Sequence, residues 1–270
     1  MLFRSFKSRY FRLGITGQTL QQISLGGLMI ALPIYLQMVL EYTALGAGLS
    51  IAPLSLSMFA VALVAGRKAG NRSPSKIIRG GFFLLALGVA ILIPIIPHAD
   101  SGWWLVIPLL IAGTGLGLLV SQLNNYTLAP IEEERVSEAA GVNSAGGSFG
   151  LSFGLAFAGA IMLGSLSLLF THHANSSDVL SSRQAAQVSK ALEKNAEVMT
   201  NTHLESLLKG RPPAVQEEIL HINTQVRPRA LQIALLVPLI AALLGLLNGF
   251  RMTRMPDPEP SSAAESVLGG

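Results

Sequence analysis

The chain has no cysteine at all, which excludes a disulfide framework, thiolate catalysis and any cysteine-type metal site. It is also poor in charge: 13% of its 270 residues are charged, against roughly 25% in ordinary soluble domains. The shortage is local. The acidic residues, such as Glu41, Asp100, Glu132, Glu133, Glu134 and Glu138, all fall outside the long apolar runs. The histidines do too: His98, His172, His173, His203 and His221. No nucleophile stands with a base, no glycine loop suits a phosphate, and no basic patch suits nucleic acid. Enzyme chemistry, cofactor binding and nucleic-acid binding are therefore not expected. The adjacent His172 and His173 point different ways on a helix, so no metal site is expected there.

What the chain has in abundance is apolar sequence, 50% of its residues. A membrane-crossing helix needs about 20 mostly apolar residues to span about 30 Å of hydrocarbon. Six runs qualify: 14–40, 44–66, 80–97, 103–129, 141–170 and 230–250. The fold class expected is therefore all-α integral membrane, in a lipid bilayer. The domain plan is a basic tail over 1–13, helices one to five over 14–170, an outer segment over 171–229, helix six over 230–250 and a disordered tail over 251–270. The basic residues alternate between the short connections. Arg4, Lys7, Arg9 and Arg12 precede the first run, none follows it, and Arg67, Lys68, Arg72, Lys76 and Arg79 follow the second. Positive charge marks cytoplasmic connections, which puts both termini in the cytoplasm of a multi-pass plasma-membrane protein. Trp103 and Trp104 sit at an expected outer boundary, where indole rings are enriched. The outer segment reads as an amphipathic helical hairpin lying on the outer surface, with helices over 182–209 and 213–226.

The fifth run holds an unusual feature. Gly146, Gly150 and Gly154 recur every four residues, and Ala158 and Met162 continue the row. In water such a helix is poor, each glycine costing about 1 kcal/mol against alanine. In lipid the backbone must satisfy its own hydrogen bonds, so a helix forms, and its bare stripe admits a second helix closely. Two readings stay open: a fixed packing seam, or a sliding one. The partner is either inside this bundle or outside it.

Uncharged polar residues are the only chemistry inside the runs. Gln18 and Gln22 share one face of the first run, which ends with Tyr35 and Gln37. The fourth run ends with Asn124 and Asn125, and the fifth begins with Asn143. Singly each suits interhelical hydrogen bonding. As a set they suggest the polar lining of a cavity open to the cytoplasm, and these seven are the substrate-pathway candidates.

The string Leu32-Pro33-Ile34-Tyr35-Leu36-Gln37, followed by Gly46-Ala47-Gly48-Leu49-Ser50-Ile51-Ala52-Pro53-Leu54, resembles the start of the C-terminal half of fourteen-helix drug:proton antiporters of the major facilitator superfamily. The glycine-rich run 112–119 and the run 139–154 are similar to later helices of that half. The resemblance implies a six-helix half-bundle that exports small amphipathic drugs or metabolites against proton entry, in multidrug-efflux fashion. One departure stands out. Where the family carries an acid before an arginine in the loop after its second helix, this chain has Asn71 before Arg72. The resemblance covers one half only, so the coupling carboxylates are expected on a missing N-terminal half, and the other cavity wall on that half or on a second copy. The competing expectation is a six-helix protein that does not transport, a remnant or a partner-binding scaffold.

Overall fold

The computed structural model describes residues 6–67, 73–177, 179–180, 186 and 201–258. Among them it is all-helical. Helix α1 (Arg9–Ile34) is extended by a π-helical turn, Tyr35–Val39. Then come α2 (Ala44–Arg67), α3 (Pro74–Ile95), α4 (Val106–Leu128), α5 (Val136–Asn175), α6 (Asn201–Leu208), α7 (Pro213–Ala234) and α8 (Leu236–Met252). Six stretches are long and apolar enough to cross a membrane: Arg9–Val39, Ala44–Gly66, Pro74–His98, Gly102–Leu128, Glu133–Asn175 and Pro213–Met252. All six expected runs are present as helix, and the all-helical membrane class is the one observed.

The helices meet along glycine seams. On α4, Gly113 and Gly117 lie one turn apart and face α2. A methyl group at Gly117 would lie 2.5 Å from the Met58 carbonyl oxygen. Gly115 faces the other way, onto α3, 2.5 Å from the Leu85 nitrogen by the same measure. The glycine-rich 112–119 run thus lets one helix touch two neighbours at backbone distance. The stripe on α5 does the same against α1. A Cβ at Gly150 would meet the Thr19 carbonyl oxygen at 2.5 Å, and one at Gly154 would meet the Ile23 Cα at 2.9 Å. Gly26 of α1 answers from the other side, its methyl position 2.9 Å from the Leu155 nitrogen. Levels rise together on both chains, so α1 and α5 run parallel. The partner of the stripe is therefore inside this bundle, and Ala158 and Met162 continue the buried row.

Prolines disturb the ladders locally, and side chains repair them. Pro97 has no N–H for the Ile93 carbonyl, and Gln232 of α7 donates to that carbonyl instead at 2.8 Å. Helix α8 is held to α1 by Ser24, whose hydroxyl donates to the Pro238 carbonyl at 3.0 Å, and by Asn248, which donates to the Leu13 carbonyl at 2.8 Å.

Two features differ from the sequence reading. First, α5 is 40 residues long, and α7 is already helical from Pro213 and runs almost directly into α8. Forty residues make about 60 Å of helix, twice the hydrocarbon thickness. The boundary expected at 229/230 falls within α7. The apolar side of the outer segment packs against the extension of α5: Leu166, Phe170 and Ala174 meet Leu204, Leu208, Val215, Ile219, Ile222 and Val226. These residues form a separate core, a lobe built on the far end of α5. Most of the helix expected over 182–209 lies outside the described residues, with α6 its visible end. Second, part of the expected disordered tail is bound. The Tyr10 hydroxyl donates to the Pro256 carbonyl at 3.0 Å. Asp257 accepts from the Ser75 backbone N–H at 3.1 Å and from the Ser73 hydroxyl. It thereby caps the start of α3, where the first N–H groups have no helical partner. Residues 259–270 lie outside the described set. Burial alone would raise the Asp257 carboxyl, but the bonds from Ser73 and Ser75 and the nearby Lys76 charge hold it below its ordinary 3.8.

Two outcomes follow. Gly150→Leu must force α1 and α5 apart and lowers stability by about 3 kcal/mol in thermal unfolding of the micellar protein. Gly164→Leu, where a side chain meets nothing within 4 Å, stays within about 0.5 kcal/mol. A depressed folded pKa stabilises the docked tail above the ordinary carboxylate value and releases it as pH falls through the folded one. The protection of the Ser75 amide against hydrogen exchange, relative to its intrinsic rate at the same pH, should therefore fall on acidification below pH 3.8, and Asp257→Ala should remove it at all pH values.

Candidate functional site

The polar candidates were drawn from three helices, and the packing decides which of them meet. Because α5 carries glycine where α1 approaches, the glutamines of α1 find room against it. A methyl group at Gly147 would sit 3.4 Å from the Gln18 amide nitrogen, and one at Gly150 3.2 Å from the Gln22 Cβ. At the same end of the bundle, Asn143 of α5 donates to the Asn124 side-chain oxygen of α4 at 2.7 Å. Asn143 is buried, Gln18 and Gln22 are half-buried, and Asn124 and Asn125 are exposed. Five of the seven candidates thus gather at the terminal end, where the described chain begins and ends and where α1, α4 and α5 converge.

The other two lie elsewhere. Tyr35 is buried at the far end, its hydroxyl 2.9 Å from the carbonyls of both Ile96 and Ala99. It fastens the end of α1 to the connection after α3. Gln37 donates to the Pro33 carbonyl of its own helix at 3.3 Å.

Several side-chain atoms near the terminal end are buried without a protein hydrogen-bond partner among the described residues: Gln21 Oε1, Gln22 Oε1, Gln122 Nε2, the Tyr126 hydroxyl and Asn143 Oδ1. An unmatched buried polar atom costs about 1–3 kcal/mol, and native proteins tolerate few. All five belong to the ends of α1, α4 and α5 that meet there, so this end has a polar interior. Gln21, Gln122 and Tyr126 were not among the candidates. The signal for Gln21 was its place on the row Gly14, Gly17, Gln21, Ser24, Leu28, all of which are buried. Tyr126 also meets the Tyr10 ring edge-on at 5.8 Å.

The outward faces divide into two kinds. Exposed positions on α2 are Leu45, Leu49, Leu56, Phe59 and Leu63, and on α8 Ile240, Leu243, Leu244 and Leu247, a composition suited to lipid. The exposed face of α5 is different. It carries Ser144, Ser148 and Ser152 one turn apart. Beside them stands a ladder of Phe149, Phe153 and Phe157, with ring centroids 6.0 and 5.1 Å apart. No group of three metal-ligating side chains occurs among the described residues. The geometry offers neutral hydrogen-bonding amides and hydroxyls beside stacked rings and, among the described residues of this site, no acid–base or nucleophilic pair.

Known proteins share this sequence pattern. The chain is 30% identical over 143 residues to a protein described as a probable actinorhodin transporter of Streptomyces coelicolor, covering 52% of this chain and 25% of that one. It is 29% identical over 182 residues to a multidrug resistance protein B homolog of Mycobacterium tuberculosis, covering 66% and 32%. It is 26% identical over 170 residues to a putative multidrug resistance protein, MdtD, of Yersinia pestis, covering 62% and 35%. The matched part is thus between 25% and 35% of these relatives' own length. The family model described as Major Facilitator Superfamily matches residues 2–155, more than half of the 270. With its six membrane-crossing stretches, the chain is a multi-pass membrane protein that belongs to the Major Facilitator Superfamily, a family of transporters and not of enzymes.

Proposed function

We propose that this chain forms the C-terminal half of a proton-coupled efflux transporter for amphipathic drugs or metabolites, in the cell membrane with both termini in the cytoplasm. The observation that carries this reading is the convergence of Gln18, Gln22, Asn124, Asn125 and Asn143 at the terminal end of the bundle, beside buried amides with no protein partner. Neutral amides hydrogen-bond the polar part of a guest without holding a charge at membrane depth, which is expensive. The phenylalanine ladder on the same helix as Asn143 offers apolar surface to the rest of it. Tyr35 and Gln37, tied to main-chain carbonyls at the far end, act in this reading as supports of α1 and not as contacts to the guest.

The orientation rests on the basic residues. Arg9, Arg12, Lys76 and Arg79 flank the end that holds the polar cluster, together with Arg251 and Arg254. Two halves that rock about a midplane site need a second six-helix unit, and the relatives' greater length supplies a place for one. The serine-bearing face of α5 is the surface proposed to meet that unit across the cavity. The coupling carboxylates belong to the second unit, because the apolar middles of these six helices carry no acid or histidine.

Everted vesicles test this. The chain produced together with the remaining portion of the Mycobacterium tuberculosis relative should accumulate ethidium when the interior is acidified, and the chain alone should not. Asn143→Leu should cut the rate by about tenfold, near 1.4 kcal/mol in the barrier, at unchanged protein level. Ethidium/proton exchange by this chain alone as a monomer would overturn the half-transporter reading.

A further inference from the structure

The far end of α1 is not finished as an ordinary helix. Pro33 removes one ladder hydrogen bond, and one residue later the helix widens into the π turn Tyr35–Val39. Such turns inside α-helices often mark functional positions. The chain then leaves the turn through Glu41 at φ 54°, a left-handed conformation uncommon outside glycine. An end built this way has carbonyls that the helix does not use, and it needs outside contacts to hold one shape.

The outer lobe supplies those contacts. Arg227 of α7 is 6% exposed. Its Nη1 donates to the Met38 carbonyl at 2.9 Å, and its Nε donates to the Asn223 side-chain oxygen at 2.9 Å. From α6, the Thr202 backbone N–H and hydroxyl donate to the Glu41 carboxylate at 2.8 and 2.6 Å. Apart from the nearby Glu41 carboxylate, the surroundings of the guanidinium are mostly apolar. Arg227, Tyr35, Met38, Met162 and Leu166 border a cavity of about 30 Å3, room for a single water. A cation at the carbonyl end of a helix is electrostatically favoured. A buried guanidinium is nonetheless costly unless its bonds are well made. Here two of them go to a side-chain amide and to the hinge-like turn of α1. A residue that served only to pack the lobe would have no need of charge at this place.

We propose that Arg227 is a positioning residue of the transport cycle. Through the Met38 carbonyl it latches the π turn of α1 to the outer lobe, and the latch must open when the far end of α1 changes its arrangement. The role rests on the half-transporter reading; the contact itself does not.

The absence of cysteine makes a direct test available. In the full chain in vesicles, a single Met38→Cys reports the exposure of the turn through its rate of reaction with a membrane-impermeant maleimide supplied to both faces. Arg227→Leu, which keeps bulk and loses the donors, should raise that rate by about tenfold, as expected for loss of a hydrogen bond from a charged donor. Arg227→Lys, which keeps a cationic donor, should stay close to the parent rate. Ile219→Cys, in the centre of the lobe core, should react slowly in all three backgrounds. An unchanged Met38→Cys rate in Arg227→Leu overturns the latch. So does an equal rise at Ile219→Cys, which would mean that the lobe itself had come apart. Labelling needs no transport. A chain that moves no ethidium in any assembly sinks the half-transporter reading and leaves the contact standing, whereas unchanged labelling sinks the latch alone.

Discussion

Backbone-to-backbone approach is the constraint from which the remaining features of this molecule follow. In lipid there is no hydrophobic gain in pressing two apolar helices together, so association depends on packing and on interhelical hydrogen bonds. The seams between α4 and α2, α4 and α3, and α5 and α1 answer that demand with glycine. Each brings a Cα or a carbonyl of one helix to within a methyl group of the next. Helix α4 shows the logic most plainly. Gly113 and Gly117 on one side and Gly115 on the other let a single rod be shared by two partners. Once these three contacts are set, the remaining helices have little freedom. Helix α8 fits against α1 through Ser24 and Asn248, and both bonds run to main-chain carbonyls.

The same bareness creates the polar site. A helix stripped of side chains on one face leaves space beside its neighbour, and Gln18 and Gln22 occupy that space against Gly147 and Gly150. Larger residues on α5 would have filled it with hydrocarbon. The amides placed there are imperfectly matched, which works against stability. The seam just beyond them compensates through the close packing of Gly154, Ala158 and Gly26. Stability and polar chemistry are thus neighbours on one pair of helices, and a change to the seam is felt at the site.

Much of this was legible from residues alone, and the failures have a common physical cause. Hydropathy located the six spans, because roughly 20 apolar residues in a row have few other uses. The four-residue period of Gly146, Gly150 and Gly154 identified a contact face, but a period within one helix names the face and not its partner. That α1 is the partner depends on Gly26 and Thr19, whose own spacing is unremarkable. Asn124, Asn125 and Asn143 were placed near each other by topology, since a short connection must keep the end of α4 close to the start of α5. Tyr35 and Gln37 are indistinguishable from pathway residues in the sequence; only the carbonyls of Ile96, Ala99 and Pro33 show where their hydrogen bonds go. The lobe escaped because α7 is too polar over 213–229 to register as a span. Its apolar side, Val215, Ile219, Ile222 and Val226, meets the far end of α5. The bound tail escaped because it hangs on Asp257 reaching Ser73 and Ser75, contacts separated by 184 and 182 residues.

The distribution of charge then acquires a structural meaning. Hydrocarbon excludes charge from the middles of the helices, so electrostatic contacts are confined to the two ends of the bundle. At the terminal end a carboxylate, Asp257, caps the start of α3 with the help of Ser73 and Ser75. The acid is supplied by the C-terminal tail. At the far end a guanidinium, Arg227, and a carboxylate, Glu41, hold the irregular close of α1. In both places a charge is matched to the unpaired main-chain groups of a helix end, where partial charges are largest. Between them the glycine seams are bound chiefly by packing, with one interhelical hydrogen bond in the α1–α5 seam, from the Thr19 hydroxyl to the Gly146 carbonyl at 3.2 Å. Close-packed interfaces have few intermediate arrangements and move as units, while hydrogen bonds at helix ends are made and broken singly. The contacts that can be made and broken one at a time therefore lie at the two ends of this bundle.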